Sequence, residues 1–485
     1  MYTITYLKLQ MISFITYYLQ LITNYIQDLY NKYIYWNKML AGNKEYELSH
    51  LQLAVRAIKT GENLEIKKDE TFVESCHDMC SYVLSTKDQN EIEKYCPYVP
   101  GTIYEQNKDG IHIKIQCDDH ECIIMSSLSY WGFHANDEVL EYAIQKARDT
   151  GVGNHGSYLV TGRNTVVEEA YQKLAKFFNR KYSTIAASGF LACMNLIKFL
   201  VPKDGLIFID ERAHVCLKFG SSLTKAKTIK FPHNDFDKLE LLMKKNRHKY
   251  KGRSILVLDG IYSAEGTLCD LPKARLLCDK YNVQLVVDEA HSLGSIGKTG
   301  HGVEEYYDMV GACDFICGVF SKSLASYGGY VVSNHKEIMD LNVTPGIGFA
   351  TGLHAFSAAT VSKGLDIIER DGKKVRKDME NLREYFVSEL NKCGINNIRD
   401  VGHDIFLIFS NNVSAVAVAM NMRKRGYYVS AFMFPSVPLG MSTVRLTINP
   451  LITKEIIDGF CKELNKVFIT YKELRTSTGK LLIKY

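Results

Sequence analysis

VQLVVDEAH, Val283–His291, is a nearly continuous apolar run closed by an aspartate, with a histidine three residues further on. A short run of this kind without polar alternation fits a strand buried on both faces. Three other stretches share its shape: GLIFID (Gly205–Asp210), SILVLDG (Ser254–Gly260) and CDFICGVFSK (Cys313–Lys322). Between them lie segments with helical periodicity, DFDKLELLMKKN (Asp235–Asn246) and LPKARLLCDKY (Leu271–Tyr281). Strand and helix in repetition predict an α/β fold whose sheet is mostly parallel and covered by helices. Ligands of such sheets gather at the carboxyl ends of the strands. There the sequence puts Asp210, Asp288 and, closing the last of these runs, Lys322.

The flanks read differently. Residues 1–115 form an extension, helical and irregular, with YCPYVPGT (Tyr95–Thr102) as a boundary signal. Residues 116–345 carry the alternating pattern, a large ligand-binding domain. Residues 346–485 carry a long amphipathic helix over Lys373–Gly394, then strands and a closing helix, which predicts a small C-terminal α+β domain.

Bulk composition narrows the function classes. A net charge of +5 on 485 residues, with no basic stripe, argues against nucleic acid as a partner. Thirteen cysteines scattered in apolar segments indicate a reducing compartment and buried thiols. Cys76, Cys80, Cys117, His120 and Cys122 match no familiar zinc spacing, so no metal is expected. The uncharged stretch LQMISFITYYLQLITNYIQ (Leu9–Gln27) is long enough to span a bilayer, yet holds Gln, Ser, Thr and Asn. It reads as a membrane-surface helix, a weak span or a helix packed on a partner. The chain is accordingly expected in the cytoplasm or on the cytoplasmic face of a membrane, the endoplasmic reticulum being one candidate.

A carboxylate (Asp288), two imidazoles (His291, and His214 after FIDERA) and an amine (Lys322) converge at one sheet edge if the fold holds. This set suits pyridoxal 5'-phosphate: a lysine for the Schiff base, an acid for the pyridine nitrogen, imidazoles for the ring. AASGFLACMN (Ala186–Asn195) offers a helix start whose N–H groups suit a phosphate. Singly, each residue has a bland reading as a cap, a structural histidine or a solvated lysine.

DEAHSLGSIGKTGHGVEEYY (Asp288–Tyr307), followed by FSKSLASYGGYVV (Phe320–Val332), resembles the α-oxoamine synthase family of fold type I pyridoxal phosphate enzymes. GVGNHGSYLVTGRN, DERAHVCLKFG, DGIYSAEG and FPSVPLGMSTVRLTI agree with it, in order, over roughly residues 120–470. By resemblance, Lys322 is the Schiff-base lysine and Asp288 the partner of the pyridine nitrogen. His291 is the contact to the phenolic oxygen, and His214 stacks on the ring. Ser188, Gly189 and Phe190 hold the phosphate, which Thr351 reaches from a neighbouring subunit. Arg445 grips the substrate carboxylate. The resemblance implies condensation of an amino acid with an acyl-CoA, with loss of CO2, by a homodimer or a heterodimer of related subunits. The long extension favours the branch that joins L-serine to a long-chain acyl-CoA, giving 3-ketosphinganine. Other members of the family, an aminotransferase and a noncatalytic scaffold subunit are the alternatives. The sequence departs from the family at Val319 (usually Thr, on the phosphate), Ser129 (usually Asn), Tyr158 (usually Arg) and Cys193 (usually Asn).

Overall fold

The computed structural model describes residues 103–115, 121–409, 412–432, 437 and 441–478. Cys76, Cys80, Cys117, His120 and the Leu9–Gln27 stretch lie outside the described residues. Among the described residues, no helix is long and apolar enough to cross a membrane.

The central sheet has seven strands, in the order Tyr182–Ala186, Gly329–Ser333, Phe315–Val319, Gln284–Asp288, Ser254–Asp259, Leu206–Asp210 and Lys227–Phe231. Gly329–Ser333 runs antiparallel to both its neighbours, and the paired strands from Phe315–Val319 to Lys227–Phe231 are parallel. The mostly parallel α/β architecture expected from the sequence is therefore present. Continuous apolar runs serve because both faces are buried: Leu256, Leu258, Leu285 and Val287 pack on one side, Ile255, Val257 and Val286 on the other. Each such side chain taken fully out of water contributes about 1.5–3 kcal/mol.

The helices begin where the sequence supplies caps. Asp235 accepts from Lys238 N–H at 2.8 Å to start Phe236–Asn246, and Asp270 accepts from Lys273 N–H at 3.1 Å to start Leu271–Tyr281. Two expectations need correction. The strand Phe315–Val319 stops three residues short of Lys322, which lies instead in the following turn, so the next strand can double back antiparallel. The amphipathic helix begins not near Lys373 but at Ala355, and runs to Lys392.

A second, antiparallel sheet joins Ile398–Val401, Asp404–Phe409, Ser442–Thr447 and Ser430–Phe432. Helix Lys454–Thr478 shares its core with the far end of Ala355–Lys392, through Phe460 against Phe386. Strands Ile103–Gln106, His112–Ile115 and Glu121–Ile124 form a third sheet, completed by Tyr427–Tyr428. The 115/116 boundary read from the sequence thus falls between strands of one sheet.

Candidate active site

Two adjacent strands end at one level, at Asp259 and Asp288, and the third runs two residues past it. Asp288 lies beside Asp259 on one side and Cys317 on the other. The backbone beyond Asp288 turns sharply, because the Asp288 carboxylate accepts the Ala290 N–H at 2.9 Å. That turn swings His291 back over the strand ends and sends Glu289 the other way, where its carboxyl accepts the Val303 N–H at 2.9 Å. One pocket is lined by Asp288, His291, Lys322, His214, Gly189 and Phe190. The structure therefore brings together most of the residues singled out in the sequence.

Lys322 is half-buried by its own accessible surface, but its ammonium is deep enough for desolvation to lower its pKa to about 8. Asp288, Asp404 and Asp259 oppose that shift and Arg445 adds to it, so Lys322 lies within the electrostatic reach of all four. Asp259 was not singled out from the sequence. It is buried and pushed well up by desolvation first and by the Asp288 charge second, which favours its protonated form beside Asp288. Its carboxyl accepts the His214 backbone N–H at 3.2 Å, which places His214 at the start of helix Val215–Ser222 with its ring partly exposed. Hydrogen bonding to Cys216, at 2.9 Å, raises the His214 pKa against the cost of burial.

His291 belongs to a buried relay that the sequence also did not disclose. The Tyr130 hydroxyl lies 2.7 Å from His291 Nδ1 and donates to Asp404 at 2.6 Å. Thr447 donates to the other Asp404 oxygen at 2.7 Å. Burial pushes Asp404 up, yet the His291 contact and the Arg445 charge hold it at about 2, so it is an anion that can only accept. Tyr130 must then receive the His291 Nδ1–H, which leaves Nε2 of the neutral ring bare. Burial, followed by the Lys322 charge, takes His291 down to about 3, so it is neutral at physiological pH.

Arg445 is buried, donates to the Ser263 carbonyl at 3.0 Å and stacks 4.6 Å from the Phe432 ring. Its Nε has no partner among the described residues, a donor that suits a bound carboxylate. Thr351 does not join this pocket. It is exposed and bridges to Ser157.

Ser188 caps helix Gly189–Leu200 by accepting the Leu191 N–H at 3.2 Å. An added Cβ on Gly189 would come within 1.9 Å of Val319 Cγ1, and one on Gly329 within 2.3 Å of Gly189 Cα. Only glycines allow this helix start to press so close to the sheet. The residues fit pyridoxal 5'-phosphate: an amine, a buried carboxylate with no cationic side chain paired to it among the described residues, an exposed imidazole face and a helix N-terminus. Val319 touches that helix start without a hydroxyl to offer. Val319→Thr keeps the branched shape and adds one donor to a phosphate, so it should tighten pyridoxal phosphate binding by about 10-fold. Fluorescence titration of the cofactor-free chain measures this; unchanged or weaker binding would show that Val319 does not face the phosphate.

Known proteins resemble the chain over most of this region. The family model for aminotransferase class I and II matches residues 121–464. A putative 8-amino-7-oxononanoate synthase of Trichodesmium erythraeum is 31% identical over 348 residues, 70% of this chain and 87% of the relative. A serine palmitoyltransferase of Sphingobacterium spiritivorum is 29% identical over 367 residues, 75% of this chain and 90% of the relative. Among solved structures, a Sphingomonas wittichii serine palmitoyltransferase superposes with a TM-score of 0.73 at 21% identity, covering 84% of this chain and 99% of that one. The 8-amino-7-oxononanoate synthase of Francisella tularensis gives 0.58 at 19% identity, covering 73% and 100%. At these identities the solved structures establish the shared fold.

Proposed function

Given that the chain belongs to the aminotransferase class I and II family, in its α-oxoamine synthase branch, and is a pyridoxal 5'-phosphate-dependent acyltransferase of fold type I, we propose that it joins L-serine to a long-chain acyl-CoA with loss of CO2. The observation that carries the active-site assignment is the Lys322 amine, held near neutrality within reach of Asp288 and Arg445.

The residues divide the work as follows. Lys322 Nζ would hold the cofactor and, as a free amine, would take the Cα proton of the amino acid. A pKa of about 8 leaves a usable fraction of free amine at pH 7. When bound, pyridoxal 5'-phosphate supplies an electron-withdrawing ring that takes up the charge left at Cα. Asp288 would keep the ring nitrogen protonated. His214 would cover one ring face, and His291 would face the phenolic oxygen. The Gly189 and Phe190 N–H groups, behind the Ser188 cap, would hold the phosphate. Arg445 orients the amino-acid carboxylate until it leaves as CO2. The acyl thioester needs more room than this pocket gives. A cleft of about 530 Å3 opens beside the same turn, lined by Ser321, Tyr327, His354 and Ser357, and suits the second substrate.

We assign a homodimer, or a dimer with a related subunit. Phe349, two residues before the exposed Thr351, and Val152 and Val160, on either side of its bridge partner Ser157 in the chain, are each more than two-thirds exposed, at 72, 86 and 78%. A partner covering them would bring its own Thr351 to the phosphate of this chain. The Leu9–Gln27 stretch supports placement at a membrane surface, where long-chain acyl substrates reside. The 8-amino-7-oxononanoate synthase relatives favour a second reading, with L-alanine as the amino acid.

The visible spectrum of the purified, cofactor-loaded chain decides between these readings. L-Serine should change it saturably, at concentrations at least about 10-fold below those needed for glycine or L-alanine, as a site that hydrogen-bonds the hydroxyl would require. A preference for alanine or glycine would keep the family and overturn serine.

A further inference from the structure

Two buried thiols approach the Asp288 carboxylate from two different helices, and the mechanism uses neither. Cys193, on helix Gly189–Leu200, lies 3.6 Å from Asp288 Oδ2, and Cys216, on helix Val215–Ser222, lies 3.9 Å from the same oxygen. The three ligand atoms all fall within 4.8 Å of one another, and all three residues are buried. The His214 Nδ1, 2.9 Å from the Cys216 sulfur, is already engaged by the Cys216 N–H, so a fourth ligand would come from solvent.

We propose that the cofactor-free chain binds one thiophilic divalent cation through Cys193, Cys216 and Asp288, and that this cation and pyridoxal 5'-phosphate exclude one another. The spacing supports a tetrahedral ion. Zn–S bonds of about 2.3 Å and Zn–O bonds of about 2.1 Å at tetrahedral angles set the sulfur and oxygen about 3.6 Å apart. Two sulfurs with one carboxylate select zinc or a softer ion over magnesium or calcium. The ligands come from elements that the fold already fixes, so the ion needs only small side-chain movements. Binding replaces the two thiol protons, which pass to solvent, and no redox partner is required. The ion would engage the Asp288 oxygen that faces the thiols, and that same carboxylate is assigned to the pyridine nitrogen. Zinc would therefore act as an inhibitor of cofactor loading, not as a resident cofactor.

Cobalt(II) added to the cofactor-free full chain should give thiolate-to-metal charge-transfer absorption. Cys193→Ser and Cys216→Ser should each remove the part of it that arises at this site, with circular dichroism confirming that both variants remain folded. Difference spectra against the wild type isolate this site from other cysteines. Adding pyridoxal 5'-phosphate should abolish that same part, and prior loading with Zn2+ should slow cofactor uptake at least about 10-fold. Absorption identical in the wild type and both variants would overturn the site. Simultaneous binding of metal and cofactor would overturn the exclusion. The cobalt comparison depends on the two cysteines alone, so its failure is distinct from any failure of the Asp288 assignment, on which the competition rests.

Discussion

Lys322→Ala is expected to lower turnover at least about 10³-fold and to leave the fold intact. The loss combines two roles, anchoring the cofactor and moving the Cα proton; a positioned acid or base alone is worth about 10²–10⁴-fold. Stability should move the other way. The folded-state pKa of Lys322 lies at about 8, below the usual lysine value of 10.5, so the folded chain binds fewer protons than the unfolded chain between those values. Stability contributed by this group therefore rises with pH across that window, and its cost is fully present below pH 8. At pH 7 the charged amine costs at most roughly 3 kcal/mol, reduced by partial exposure and, in the variant, by the cavity that alanine leaves. The cofactor-free variant should thus melt at or above the wild-type temperature at pH 7, and lose that advantage above pH 10. Turnover that survives in a folded Lys322→Ala chain would remove the enzyme assignment from this pocket.

The central sheet was legible because it is buried on both faces. Such strands need unbroken Val, Ile and Leu, and the run closing on Asp288 announces itself. The strand before Lys322 was carried three residues too far, since Phe320 continues the apolar texture and nothing local marks where hydrogen bonding ends. The first half of helix Ala355–Lys392 was hidden by Gly364 and Gly372, which read as helix breakers. A Cβ on Gly364 would meet Leu324 at 2.9 Å, and one on Gly372 would meet the Thr299 carbonyl at 2.1 Å. Tertiary packing demands glycine there against its low helix propensity. In the site, Lys322, Asp288, His291 and His214 were found because their residue types already form a cofactor set, and other members of the same stretches, Asp259 and Cys216 among them, were not. Tyr130, Asp259 and Cys216 acquire a role only from what the fold brings beside them. Asp404 did leave one signal, as an acid opening the apolar strand DIFLIF.

Asp288→Asn tests the electronic half of the site. On the proposed assignment, the Asp288 carboxylate would pair with a protonated ring nitrogen at hydrogen-bond distance, about 3 Å. At an effective dielectric of about 20, that pair is worth about 5 kcal/mol. Asparagine keeps the shape but can donate, so it favours the unprotonated nitrogen and removes the electron demand that acidifies Cα. Turnover should fall at least about 10³-fold, with cofactor content measured by absorbance to separate chemistry from binding. The neighbouring Asp259 sets the remainder. Desolvation first, and the Asp288 charge second, favour its protonated form. Removing that charge lowers the Asp259 pKa, one strand away. The double variant Asp288→Asn/Asp259→Asn should therefore fall below the single variant by more than Asp259→Asn costs in the wild type. Strict additivity would mean that the two carboxyls do not share a proton. An Asp288→Asn chain with near-normal turnover would mean that the ring nitrogen is held elsewhere.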